Sequence, residues 1–225
     1  MKIKKLSLYT TKLAAQREFY CSTMRFPLIT EKRYSFTVKI GESLLQWKEV
    51  TEENKQPIYH FAFNIPRNNS REALAWIRER ATILKDGDDE LLYVEDWDAT
   101  AIYFEDADGN IAELIARNTL EIEFELPFTS DSIFSISEIG TPCTDLSAFY
   151  EHLQAKVELP VYSGSTERFC ALGNEEGLFI AVSPEKKYWF PTEELAKAAD
   201  YEMQFSQSGL SYTAKYLSGK FSISI

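Results

Sequence analysis

Three times along this chain an alternating strand is followed by a short capped helix and then by a β-hairpin, and no other feature restricts the fold as much. In the first copy residues 3–10 alternate, with Ile3, Lys5 and Ser7 against Lys4, Leu6 and Leu8, which predicts a strand. Thr10 or Thr11 can cap a helix over 12–24 that carries Leu13, Ala15, Phe19 and Tyr20, and Pro27 ends it. Three β-like runs follow, at 28–30, 35–40 and 44–50, the last two joined by a Gly41-Glu42 turn. The second copy runs from a strand at 58–65, through a helix at about 70–80 with Ala73, Leu74 and Ile77 inward, to strands at 82–84 and 91–93. It closes on a hairpin, 101–105 and 111–116, around Asp106-Ala107-Asp108-Gly109-Asn110. The third has a strand at 136–141, a helix after Thr144-Asp145 with Leu146, Phe149, Tyr150 and Leu153, and a hairpin of 169–172 with 177–182. Repeats of this length mean one supersecondary unit used several times, each burying its apolar face on another. The predicted class is α+β.

The second and third copies are joined by a stretch in which Leu120, Ile122, Phe124 and Leu126 alternate with Glu121, Glu123 and Glu125, which predicts a half-buried strand with a charged solvent face. After the third copy a short helix capped by Thr192 is expected over 193–199, followed by β-rich runs at 203–205, 212–216 and 221–225. The organisation expected is a domain of two units at 1–117, an acidic connecting strand at 118–132, and a third, degenerate unit with C-terminal strands at 133–225.

Acidic residues outnumber basic ones 35 to 24, a net charge of −11. That balance repels phosphate backbones and anionic lipid surfaces and argues against nucleic-acid or membrane partners. No apolar run reaches the length of a membrane span, and Met1-Lys2-Ile3-Lys4-Lys5-Leu6 does not read as a signal peptide. Three widely spaced cysteines, Cys21, Cys143 and Cys170, suit a reducing cytoplasm. There are two histidines, His60 and His152, so no three-histidine centre can form within one chain. Dinucleotide, P-loop and nucleophile-elbow motifs are absent.

The stretch Tyr103-Phe104-Glu105-Asp106-Ala107-Asp108-Gly109-Asn110-Ile111-Ala112-Glu113-Leu114 resembles the "F-x-D-P-D-G-N-x-x-E-L" hairpin of the vicinal oxygen chelate superfamily, which includes glyoxalase I, bleomycin- and fosfomycin-resistance proteins and extradiol dioxygenases. Ala107 stands where proline is usual. Tyr59-His60-Phe61-Ala62-Phe63 is similar to that family's "H-x-A-F-x-V" strand, and the first strand with Leu13 and Phe19-Tyr20 is similar to its "H-x-x-L-x-V-x-D-L…F-Y" opening. The resemblance covers 1–117 well and 133–182 weakly. It implies repeated βαβββ units, the first two paired into one cup-shaped mixed sheet, plus a third smaller unit. A lone half-sheet with an apolar concave face needs cover, which is expected from the C-terminal strands, a second chain in a homodimer, or both.

In that family the cup takes a small molecule, and the metal, where present, sits on first and last strands of the units. Carried over, those positions fall on Lys5, Gln46, His60 and Glu113. Lys5 replaces a histidine, and an ammonium offers a cation no lone pair, so a complete metal site is not expected. If a divalent metal is present, His60 and Glu113 are its ligands. Lys5 is expected to pair with Glu113 across the cup. Ser137 and Glu138 are the nearest third-unit counterparts of Lys5, with the register open. Trp97, in the polar loop Glu95-Asp96-Trp97-Asp98, either covers the cup mouth and stacks on a ligand or anchors its loop. Two functional classes follow: a small-molecule binding protein without a metal, or an enzyme, either a metal-dependent lyase, isomerase or dioxygenase whose cation polarises a substrate oxygen or a metal-free variant with His60 or Glu113 as general base and Lys5 steadying an enolate.

Overall fold

The computed structural model describes residues 1–51, 58–125, 127–184 and 187–225. The first unit is β1 (Lys2–Thr10), α1 (Leu13–Arg17) continued by a wider π-helical turn over Glu18–Thr23, then β2 (Leu28–Lys32), β3 (Ser35–Ile40) and β4 (Ser43–Glu49). The second is β5 (His60–Ile65), α2 (Ser70–Arg78), β6 (Thr82–Leu84), β7 (Leu92–Val94), β8 (Ala99–Glu105) and β9 (Ile111–Arg117). The third is β10 (Ser135–Pro142), α3 (Leu146–Gln154), β11 (Val161–Ser165), β12 (Phe169–Asn174) and β13 (Gly177–Val182). Three further strands, β14 (Tyr201–Gln207), β15 (Leu210–Leu217) and β16 (Lys220–Ser224), act as a fourth unit without a helix.

Within each complete unit the first strand runs parallel to the last, β1 with β4, β5 with β9 and β10 with β13. That leaves one free edge per first strand, and an unpaired edge must be covered or joined. The edge of β5 is taken by β10, antiparallel, and the edge of β1 by β14. The repeated βαβββ architecture is as expected, but the partners are not the first and second units. The second unit pairs with the third, and the first with the C-terminal strands. The reason lies in burial. Every residue of β5 is buried, so it needs a strand on both sides, while Tyr201, Met203 and Phe205 give β14 an apolar face that continues the core of β1.

The two halves meet edge to edge through the bridge Ile3↔Ile136 and the bond from Glu42 N to Phe134 O at 2.9 Å. Gly41 turns here at φ +53°, and a Cβ at this position would fall 2.0 Å from the Phe134 carbonyl oxygen. The second-unit hairpin closes the junction. Asp106 accepts from its own loop, at the backbone N–H groups of Asp108 (2.9 Å) and Asn110 (3.0 Å), and from Gln16 Nε2 (2.8 Å) and the Tyr20 hydroxyl (3.0 Å) of the first unit. The C-terminal strands also cover the third unit: Phe221 packs edge-on to Phe149 at 4.7 Å and Phe205 to Phe179 at 5.6 Å.

Two elements depart from the sequence reading. Residues 118–125 keep the expected alternation of burial but join no sheet. They run past the start of α2, where Arg67 N bonds Ile122 O and Asn68 bonds Phe124; Leu126 lies outside the described residues. No helix forms at 193–199. The Thr192 hydroxyl donates to Trp189 O at 2.7 Å and accepts from Glu194 N at 3.2 Å, which closes a local turn instead of capping a helix. The segment from Lys187 to Ala199 is a strap across the concave face of the second and third units.

Candidate functional site

The pairing of β5 with β10 builds a row of side chains across four strands. Glu138 on β10 faces Ala62 on β5, Ala62 faces Glu113 on β9, and Glu113 faces Tyr103 on β8. Laterally paired residues share a face of the sheet, and the small Ala62 leaves the space between the two glutamates open. His60, two residues before Ala62, lies on the same face. Its Nε2 is 3.6 Å from Glu113 Oε2 and 3.9 Å from Glu138 Oε2. One donor atom from each of His60, Glu113 and Glu138 lies within 4.8 Å of the other two.

Glu138 was one of two counterparts open at the sequence level, and a β-bulge resolves it. Ile136 faces Phe63 and Glu138 faces Ala62, so Ser137 is the extra residue. The same irregularity occurs in β1, between Ile3 and Lys5. Each unit then repeats one geometry: Lys5, His60 and Glu138 lie two residues before Ser7, Ala62 and Gly140, which face Gln46, Glu113 and Ile180. The four positions carried over from the resemblance therefore divide between two cups, Lys5 and Gln46 in one and His60 and Glu113 in the other.

Lys5 and Gln46 belong to the other cup, formed by the first unit and the C-terminal strands. Gln46 accepts from the Ser7 hydroxyl at 3.1 Å. Lys5 is half-buried, and burial followed by the neighbouring Lys48 lowers its pKa. It does not pair with Glu113, because β1 joins β14, and Glu202 of β14 is held by Lys48 (2.5 Å), Lys215 (3.4 Å) and the Tyr9 hydroxyl (2.9 Å).

In the cup of the second and third units the groups are deeply buried. His60 is 7%, Glu113 2%, Glu138 1% and Arg117 1% exposed. Burial pushes the His60 pKa down to about 4, so its ring is neutral at neutral pH. Its Nδ1 lies 3.2 Å from the Ile111 carbonyl, which can only accept, so the proton sits on Nδ1 and the Nε2 lone pair faces the two glutamates. Burial and then the neighbouring Glu138 raise the Glu113 pKa well above the usual carboxylate range. Glu138 is also raised by burial, against the opposing pull of the Arg117 guanidinium. Arg117 bonds Glu138 Oε1 and is covered by Trp97, whose ring centre is 5.1 Å away, and by Tyr162. Sequence reasoning missed Arg117, because nothing in the Ile111–Arg117 run marks a basic side chain as turned inward.

Above these groups lies a cavity of about 660 Å³, within the usual size of a small-molecule site. Trp97, at its wall, contacts both Arg117 and Tyr162, so it anchors its loop and lines the cavity together. The strap adds Trp189, stacked obliquely on His60 at 5.1 Å, and Phe190, edge-on to Tyr103 at 5.5 Å.

Three βαβββ units and a helix-less fourth, with a buried His/Glu/Glu cluster between the second and third, can be set beside solved structures. A dioxygenase candidate from Bacillus subtilis subsp. subtilis str. 168 superposes over 97% of this chain and 82% of its own, with a TM-score of 0.62 and 9% identity. The chain has the vicinal oxygen chelate fold. A glyoxalase I variant from Zea mays shares this fold over 81% of this chain and 69% of its own, with a TM-score of 0.54 and 13% identity. No protein-family profile matches the sequence, and no curated protein does. Among the described residues, no helix of this vicinal oxygen chelate fold is long and apolar enough to cross a membrane.

Proposed function

We propose that the cup of the second and third units is the active site of a divalent-cation-dependent enzyme acting on a small oxygen-bearing molecule, and that His60, Glu113 and Glu138 hold the cation. The observation that carries this reading is the convergence of three lone-pair donors, His60 Nε2 and one oxygen of each glutamate, within 4.8 Å of one another at the floor of a 660 Å³ cavity. Two buried carboxylates face one buried guanidinium, so the cluster lacks one positive charge, and a proton or a cation must supply it. The donor set, one imidazole and two carboxylates, suits zinc, manganese or iron(II). The expectation of an incomplete metal site rested on Lys5 as the third group, and Glu138 stands in that place.

A bound divalent cation would polarise an oxygen of the substrate. The chain's own residues do the rest. The Ile111 carbonyl fixes the His60 tautomer. Arg117 occupies one oxygen of Glu138 and leaves Oε2 turned to the cluster. The Tyr103 hydroxyl sits beside Glu113, and Trp189 and Phe190 keep bulk water from the floor. The test is calorimetric titration of Mn(II) and Zn(II) into chelator-treated protein. One equivalent should bind, and Glu138→Ala should weaken it by about tenfold or more. Equal binding by wild type and Glu138→Ala would overturn the reading.

A further inference from the structure

We propose that this cup selects a flat, unsaturated molecule carrying a single anionic group such as a carboxylate, and that Lys187 receives that group. The proposal rests on the cup being the substrate site and adds what kind of substrate it takes. Lys187 lines the cavity with its ammonium 4.1 Å above the centre of the Phe169 ring. Among the described residues no carboxylate lies within ion-pairing distance of it. Burial and the neighbouring Arg168 both disfavour its charged form, as for a cation set where no counter-charge has been provided.

Trp189 is a fixed part of the cavity wall. It is 3% exposed, and its Nε1 has no hydrogen-bond partner among the described residues. The indole is held in place by Gly140, where a Cβ would fall 2.6 Å from the ring edge. Any side chain at 140 would lift Trp189 off the sheet and away from His60.

The walls set the shape. Trp97 and Phe169 lie 6.3 Å apart at an interplanar angle of 31°, and Tyr103 and Phe190 add further rings to the lining. Ring faces of this kind favour a planar partner by offset stacking. Asp86, Asp89 and Asp96 line the cavity and are exposed, which disfavours a polyanion such as a nucleotide, while the half-buried Lys187 can receive one anionic group.

The test uses the full chain loaded with Mn(II) and two matched probes, 2-naphthoate and its uncharged analogue 2-naphthamide, followed by tryptophan fluorescence and calorimetry. Wild type should bind naphthoate about tenfold or more tighter than naphthamide. Lys187→Met should abolish that preference, with naphthamide affinity within about twofold of wild type. Equal affinity of the two probes in wild type, a preference that survives Lys187→Met, or no binding of either probe would each overturn the proposal. Mn(II) binding, read separately in the same variants, reports on the metal reading alone.

Discussion

The Nε2 atom of His60 points its lone pair at Glu113 Oε2 from 3.6 Å, with its only proton committed on the opposite side of the ring to Ile111. Two acceptors facing each other in a buried site repel unless something positive lies between them. In the absence of metal a proton held by the carboxylate pair fills that role, and it ties the stability of the chain to pH.

Glu113 titrates well above 4.5 in the fold and near 4.5 when unfolded. The folded chain therefore binds a proton that the unfolded chain has released, and its stability falls as pH rises from 4.5 through the raised folded value. His60 acts in the opposite sense, from 6.5 down to about 4, and is constant above 6.5. Thermal melts in chelator from pH 6.5 to 8 should thus show wild type losing stability relative to Glu113→Gln. A pH-independent difference between the two would mean that Glu113 is an ordinary carboxylate.

Lys5 stands at the position of His60 in a different cup, beside Lys48 and Glu202. Lys5→His should not raise affinity for Mn(II) or Zn(II). Lys5→Ala should change stability by less than about 0.5 kcal/mol, since Glu202 keeps its other partners. A metal site gained by Lys5→His would place Lys5 near His60 and Glu113 after all.

The hairpin that carries the family-like motif serves as a latch between halves. Tyr20→Phe removes one donor from the buried Asp106 carboxylate and should cost about 1–3 kcal/mol in denaturant unfolding. A neutral result would mean that the junction tolerates the loss, and that Gln16 and the loop amides suffice.

A fragment ending at Val182 loses β14, β15 and β16, which leaves the edge of β1 open and uncovers Phe149 and Phe179. Size-exclusion chromatography and light scattering should find it aggregated. A soluble monomer that unfolds cooperatively would contradict this packing.

Much of the arrangement was legible because it is local. Alternation marks β1 and β5, and Asp106-Ala107-Asp108-Gly109-Asn110 marks a turn whose side chain folds back on its own amides. His60 and Glu113 could be paired from sequence because both lie in one unit. Which unit pairs with which is decided by free sheet edges, and nothing in residues 1–117 says that β5 will meet β10 in preference to β1. Glu138 stayed ambiguous for a related reason. The bulge at Ser137 shifts the alternation by one, and simple period-two reading cannot see it. The strap was missed because Lys187, Trp189 and Phe190 act through loop geometry, which carries no period.

The most direct measurement is anomalous diffraction from crystals of Mn(II)-loaded protein. A single strong peak is expected about 2.0–2.4 Å from His60 Nε2 and from one carboxylate oxygen each of Glu113 and Glu138. A cup that shows no peak there while Mn(II) binds elsewhere, for instance at Glu202, would contradict the assignment of this cluster as the metal centre.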